Sequence, residues 1–247
     1  MAEQKNDIRI LGFANYNRPV IRENTNRGWV TNGVNNKYFQ YVIDRNQGSP
    51  TNASVNSSYS NLMYGKGLWS HDADAEKQVE EFNSKFSKKD QRKVLNDFQI
   101  FGMFAFSINR EGGDADSIAE YAHLPINKVV PSVKDEDGNI LSYWYSEDWD
   151  KYLQNKYKPV NYAAFGQGDG TELEIYVGKP YQPGKEYFAD PDYAAALQYA
   201  EIEEEISNYD LSFIKNGMSF GTIINVPNSY NWDEKTKKTY EDKTQSN

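Results

Sequence analysis

The chain has no cysteine and only two histidines, His71 and His123, among its 247 residues. The first absence excludes disulfides, thiolate metal sites and a cysteine nucleophile. The second leaves no pair of imidazoles at metal-ligand spacing, because the two lie about fifty residues apart. Positive charge is short too: 27 Lys and Arg stand against 36 Asp and Glu, a net charge of -9. Tight nonspecific DNA binding needs clustered cations that release counterions from phosphates, and this balance opposes it. No stretch reaches the roughly 18 to 20 apolar residues that span a bilayer, and MAEQKNDIRI lacks a basic start followed by an apolar run. The expectation is a soluble chain with no membrane association and no visible export signal. Nucleophile-elbow, Walker and dinucleotide-binding patterns are missing; FGQGDG has glycines but no Lys-Ser/Thr after them, and reads as a turn. DEDGN opens like a calcium loop, but no Glu stands at the twelfth position. His71, beside Asp72 and Asp74, reads as a helix N-cap region, and His123 as a structural hydrogen-bonding residue at a strand end. These absences predict a protein that is not an enzyme and has no cofactor and no metal.

What is present is aromatic and wet. Hydrophobic residues make up 38% and aromatic residues 15%, led by 19 Tyr, which is enough apolar surface for a packed core. The mean hydropathy of -0.84 is low for a self-sufficient globule, so much of the surface is solvated or shared with other subunits.

Four regions follow along the chain. Residues 1–33 are Asn-rich with short apolar runs and read as an extended arm. Residues 34–189 read as an α+β domain: helical spacing at Tyr38, Tyr41, Val42 and Asp44, then a polar helix at 51–64 ending at Gly65. Two more helices are predicted at 72–86, with Val79, Phe82 and Phe86 on one face, and at 88–101. The latter has a cap-like Ser87 and Asp90 and a stripe of Val94, Leu95, Phe98 and Phe101. After Gly102 the period becomes two, and strands are predicted at 103–110, 117–123, 128–134, 139–146, 171–177 and 185–188. KDEDGN supplies the turn of one hairpin. A small antiparallel sheet results.

Residues 190–217 form the clearest element: Asp-Pro opens a predicted helix, Gly217 closes it, and its length comes to roughly 40 Å. Ala195, Tyr199, Ile202, Ile206, Tyr209 and Phe213 recur at four- and three-residue steps, a heptad-like seam. Tyr193, Leu197, Ala200, Leu211 and Ile214 make a second apolar stripe, interrupted by Glu204, so the helix wants neighbours on both sides. Tyr199, Ile202, Ile206, Tyr209, Phe213, Leu197 and Leu211 are the candidates for packing between subunits. Asp190, Asp192, Glu201, Glu203, Glu204, Glu205 and Asp210 precede the first cation, Lys215. The helix dipole accounts for the terminal charges; the acids from Glu201 to Glu205 are either a solvated face or an acidic wall. Residues 218–247 hold a short apolar strand at 221–226 and a polar tail without an apolar stripe.

The run PDYAAALQYAEIEEEISNYDLSFIKNGMSFGTIINV resembles the portal proteins of tailed bacteriophages, in the stretch where a Pro-containing start opens a long helix that ends at an Asn-Gly break before a strand. YGKGLW at 64–69, NDFQIFGMFAFSI, HLPINKVVPS and the hairpin leading to YWYSEDW are similar, in the same order, to the N-terminal half of that family. The resemblance spans 38–226. It implies a wing of helices and a small antiparallel sheet, a stem helix at 190–217 and the start of a clip-like region at 218–247. It also implies a homo-oligomeric ring, usually of twelve subunits, that forms the DNA channel at the capsid vertex for packaging and ejection and connects head to neck and tail. Implied partners are the terminase motor, neck or adaptor proteins, the capsid protein and double-stranded DNA in transit, without sequence specificity. The location is the virion, after assembly in the host cytoplasm. Full portals continue with the rest of the clip, a second stem helix and a tunnel loop, whereas this chain stops at Asn247. Glu201, Glu203, Glu204 and Glu205 are the channel-lining candidates under that resemblance, the two-stripe pattern favouring Glu201 and Glu205 over Glu204.

The alternative is a carbohydrate-binding or glycosidase-like domain, because Tyr143, Trp144, Tyr145 and Trp149 set stacking rings beside Glu147 and Asp148. In a strand these rings alternate between faces, which weakens a single aromatic cleft.

Overall fold

The computed structural model describes residues 22–24, 27–111, 117–168 and 172–215. The chain divides into two compact units, 1–200 and 201–247. The fold class is α+β, as the change of hydrophobic period at Gly102 predicts.

Two short strands, β1 (Arg22–Asn24) and β2 (Trp29–Thr31), pair antiparallel with Glu23 opposite Val30. Trp29 and Val30 are buried, so this end of the 1–33 region contributes to the core. Helix α1 (Lys37–Gly48) buries Tyr38, Phe39 and Val42, the one-sided spacing of an amphipathic helix. Helix α2 (Pro50–Tyr64) starts where Ser49 Oγ accepts from the Asn52 N–H at 3.1 Å, with Pro50 in the first turn. Both choices satisfy or dispense with donors left over at a helix start. An amide cluster ties these helices together. Asn56 donates to Asn46 at 2.8 Å and Asn52 at 3.1 Å, and accepts from Gln99 at 3.0 Å.

Helices α3 (Ala73–Lys85) and α4 (Lys88–Phe101) follow. The Ser87 cap is present, its hydroxyl oxygen accepting from the Asp90 N–H at 3.1 Å. Gly102 ends α4 at φ 73°, where its missing side chain matters twice: the left-handed backbone favours glycine, and a Cβ would collide with the Asp190 carbonyl.

Six strands then form one sheet: β3 (Phe104–Arg110), β4 (Ile118–Leu124), β5 (Val129–Pro131), β6 (Ser142–Tyr145), β7 (Val160–Ala164) and β8 (Leu173–Gly178). Their order is β4-β3-β8-β7-β6-β5, antiparallel except between β7 and β8. That parallel contact is two residue pairs long, which is why a short connection suffices where longer parallel strands need a crossover helix. The predicted hairpin turn joins β5 to β6, with Asp135 Oδ1 accepting from the N–H groups of Asp137 and Asn139 at 3.0 and 2.7 Å. The core centres on Phe39, Phe101, Ala105, Ile126, Ile175, Phe188 and Leu197.

Two predicted elements differ. Residues 185–188 make no strand, only an isolated bridge from Gln182 to Lys185. The long helix does not open at Asp190, because that residue is held elsewhere. Its N–H donates to Gln182 Oε1 and its carbonyl accepts from Gln182 Nε2, both at 2.7 Å. Its carboxylate pairs with Lys185 at 2.9 Å and accepts from the Tyr38 hydroxyl at 3.2 Å. With its carboxylate so committed, Asp190 does not cap. A turn and a 3-10 segment (Ala194–Ala196) intervene, and the α-helix, α5, is Leu197–Lys215, roughly 28 Å rather than 40 Å long. The Asn216–Gly217 break, the strand at 221–226 and the polar tail lie outside the described residues.

Candidate functional site

Among the described residues, α5 carries the feature that sets this chain apart: a long helix whose hydrophobic seam is largely open. Tyr199 is 73% exposed, and Ile202, Ile206 and Tyr209 lie between 53% and 65%. Phe213 is half-buried and stacks on Tyr209, the ring centroids 6.4 Å apart. At about 100° per residue these five positions fall on one stripe. On the same projection Glu203 and Glu205 lie about 80° to either side of the stripe and Asp210 about 60° from it, while Glu201 lies about 120° away and Glu204 opposite. In heptad terms Glu203, Glu205 and Asp210 hold the positions that flank a seam. Glu205 is exposed, and Glu201, Glu203 and Glu204 are half-buried. Lys215 is the helix's basic residue, in its last turn.

The remaining packing candidates separate. Leu211 is half exposed but sits nearly opposite the seam. Leu197 is fully buried in the chain's own core, so it is closed to a neighbouring subunit; the second apolar stripe at this end of the helix serves intrachain packing, and Ala200 is buried with it.

The aromatic residues of β6 and its surroundings pack on one another and on the core, Trp29 and Trp149 buried and Tyr143, Trp144 and Tyr145 half-buried. Trp29 meets Trp144 and Trp149 at centroid distances of 5.1 and 5.7 Å. Trp149 is buried and donates from Nε1 to the Lys128 carbonyl at 3.0 Å. Tyr143 and Tyr145 pack on the main core from the other face, and burial pushes the Tyr143 hydroxyl up to about 12. The neighbouring cleft of about 610 Å³, lined in part by Asp44, Glu147, Asp148 and Asp150, has two of these carboxylates in ion pairs. Lys151 bonds Asp148 at 2.8 Å and holds its carboxyl below the usual range, and Lys37 lies 3.4 Å from Asp150.

Both histidines have neighbours within the chain. His123 Nε2 is 2.9 Å from Asp97 Oδ2, which also accepts from the Ile126 N–H at 3.3 Å, a structural bond as expected. His71 packs against Trp69 with ring centroids 4.1 Å apart. Among the described residues no group of three His, Cys, Asp or Glu side chains is placed to hold a metal, and no helix is long and apolar enough to cross a membrane.

One surface escaped the sequence reading. Met63, Tyr64, Gly67 and Leu68 at and just past the end of α2, Phe82 on α3 and Phe86 just after it, Gln91, Val94 and Leu95 on α4, and Phe104 and Phe106 on β3 line an apolar groove of about 260 Å³. Leu62, Leu68 and Trp69 stand exposed at 55% to 75% beside it. Each stripe alone reads as core; the surplus of large apolar side chains where α2 ends is the signal that marked a surface.

No protein-family model matches the chain, and no curated protein matches it. Chains in solved structures share part of this fold, among them three from GTA particles. One from the neck of a native GTA particle computed with C12 symmetry is 9% identical, with a TM-score of 0.45 over 68% of this chain and 45% of that one. One from the virion of a native gene transfer agent (GTA) particle is 10% identical, with a TM-score of 0.44 and the same coverage. One from the neck of an empty GTA particle computed with C6 symmetry is 12% identical, with a TM-score of 0.39 over 62% and 39%. This chain therefore spans less than half the length of each, and likenesses of this size carry neither family nor function.

Proposed function

We propose that this chain is a structural subunit of a tailed-bacteriophage portal, a ring of about twelve copies that forms the DNA channel at the capsid vertex. The observation that carries the reading is α5, a helix of 19 residues with an open apolar seam and acids on its other arcs. A side chain stripe of that size exposed to water is costly unless another surface covers it. The ordered run of motifs that resembles portal proteins supports the same reading. The work is mechanical and electrostatic rather than catalytic. Glu201 and Glu204, on the arcs turned farthest from the seam, give the channel the same sign as DNA phosphates, so the genome slides without adhering when the motor pushes it. Screening limits this repulsion to about 8 Å at physiological salt, close enough to act only within a channel. The terminase motor, neck or adaptor proteins and the capsid protein are the partners, and the virion is the location.

Light scattering with negative-stain electron microscopy on the full natural protein tests this. Rings with a central hole and about twelve subunits are the expected result, and a monomer at every concentration overturns the reading.

A further inference from the structure

The groove between α2, α3 and α4 and the seam of α5 are both open apolar surfaces of one chain. We propose that the groove receives α5 of a second copy, so that copies join head to tail. This rests on the self-association in the portal reading and names the other half of the contact.

Charge favours the match. Helix α2 contributes no charged residue to the groove's wall (PTNASVNSSYSNLMY). Two cations adjoin the lining: Lys66 lies between Tyr64 and Leu68, and Arg92 holds its guanidinium 4.4 Å over the Tyr64 ring, while the neighbouring acids Glu81 and Asp90 are paired with Lys85 and Lys93 at 2.7 and 2.6 Å. Lys88 stands one turn before Gln91 on the same stripe of α4. Lys85 is already neutralised by Glu81 at 2.7 Å. The seam of α5 is flanked instead by Glu203, Glu205 and Asp210. Two α5 helices packed parallel along their seams would set Glu205 of one against Asp210 of the other, a like-charge pair, whereas the groove offers opposite charge. Size agrees as well. About 260 Å³ takes one or two seam side chains, and Leu62 and Trp69 extend the apolar floor for the rest. A contact that uses two different patches generates a ring when its rotation closes. With the seam covered, Glu204 is the acid turned farthest from the contact.

The absence of cysteine makes the test clean. Chains carrying Ile206→Cys and chains carrying Leu68→Cys are oxidised separately and as a mixture; both positions are exposed, and a disulfide needs Cα atoms within about 7 Å. A covalent dimer in the mixture alone is expected. Rings in which Ile206→Cys links to itself, or in which the mixture fails to link, overturn this inference and leave the portal reading standing. A monomer at every concentration overturns both. As a second measurement, Glu205→Lys with Asp210→Lys weakens association about tenfold or more, and Lys88→Glu with Arg92→Glu in the partner chain restores it. Weakening without restoration also overturns the inference.

Discussion

Replacing Gly102 by alanine tests how tightly the end of α4 is fitted to the segment that leads into α5. The glycine sits at φ 73° and faces the backbone of Asp190 and Pro191. A left-handed alanine costs about 1–2 kcal/mol. Forcing a methyl against a main-chain carbonyl, which has no rotamer to escape into, costs about 1–3 kcal/mol more. The smaller unfolded-state entropy of alanine returns about 0.4–1 kcal/mol. The balance is a loss of about 1–5 kcal/mol, centred near 3, or a fall in Tm of about 2–4 °C for each kcal/mol in a protein of this size. Gly166 supplies the control, since it has φ 78° with nothing within 4 Å of an added Cβ. Gly166→Ala therefore incurs the dihedral cost alone. Urea unfolding of the two variants, with equal m-values, isolates the collision as their difference. If they agree within about 0.5 kcal/mol, which is below the smallest overpacking cost, the close approach of Gly102 to Asp190 is refuted.

Three further outcomes are expected. Ser87→Ala removes the acceptor for the Asp90 N–H and lowers stability by about 1 kcal/mol in denaturant melts, while Ser87→Asp retains most of it. Stability falls as pH rises above about 10, because the unfolded chain ionises its tyrosines there while folded Tyr143 keeps its proton to about 12. Above pH 10 the unfolded state thus binds fewer protons, and unfolding gains ground; Tyr143→Phe flattens that slope in melts between pH 9 and 11. On the portal proposal, Glu201→Lys with Glu204→Lys in assembled particles slows DNA ejection, measured as the rate of genome release, more strongly at low salt than at high salt.

Where the local code agrees with the surroundings, the sequence could be read closely. Ser87 and Gly102 bound α4 in sequence and in space, and the Asp-Gly turn at 137–138 joins β5 to β6 as its chemistry requires. Where a tertiary partner outbids the local code, the reading failed. Asp190-Pro191 looks like a helix start, but the Asp190 carboxylate is taken by Lys185 and Tyr38, and its main-chain groups by Gln182. Gln182 is eight residues away and carries no signal of that role. Strand β7, VNYAA, is short and has no clear alternation, and its partners β6 and β8 define it. The seam on α5 was visible because it lies on one helix at three- and four-residue spacing. The groove was not, since α2, α3, α4 and β3 each supply only part of its wall.

The amide cluster of Asn46, Asn52, Asn56 and Gln99 has a consequence for the conditions this fold tolerates. Amides neither titrate between strong acid and strong base nor gather counterions, so the latch between α1, α2 and α4 is indifferent to ionic strength. Surface ion pairs such as Lys93 with Asp90 loosen in brine or acid. The helices behind them keep their registration, so the packing of α1, α2 and α4 outlasts its surface charges when the electrolyte changes.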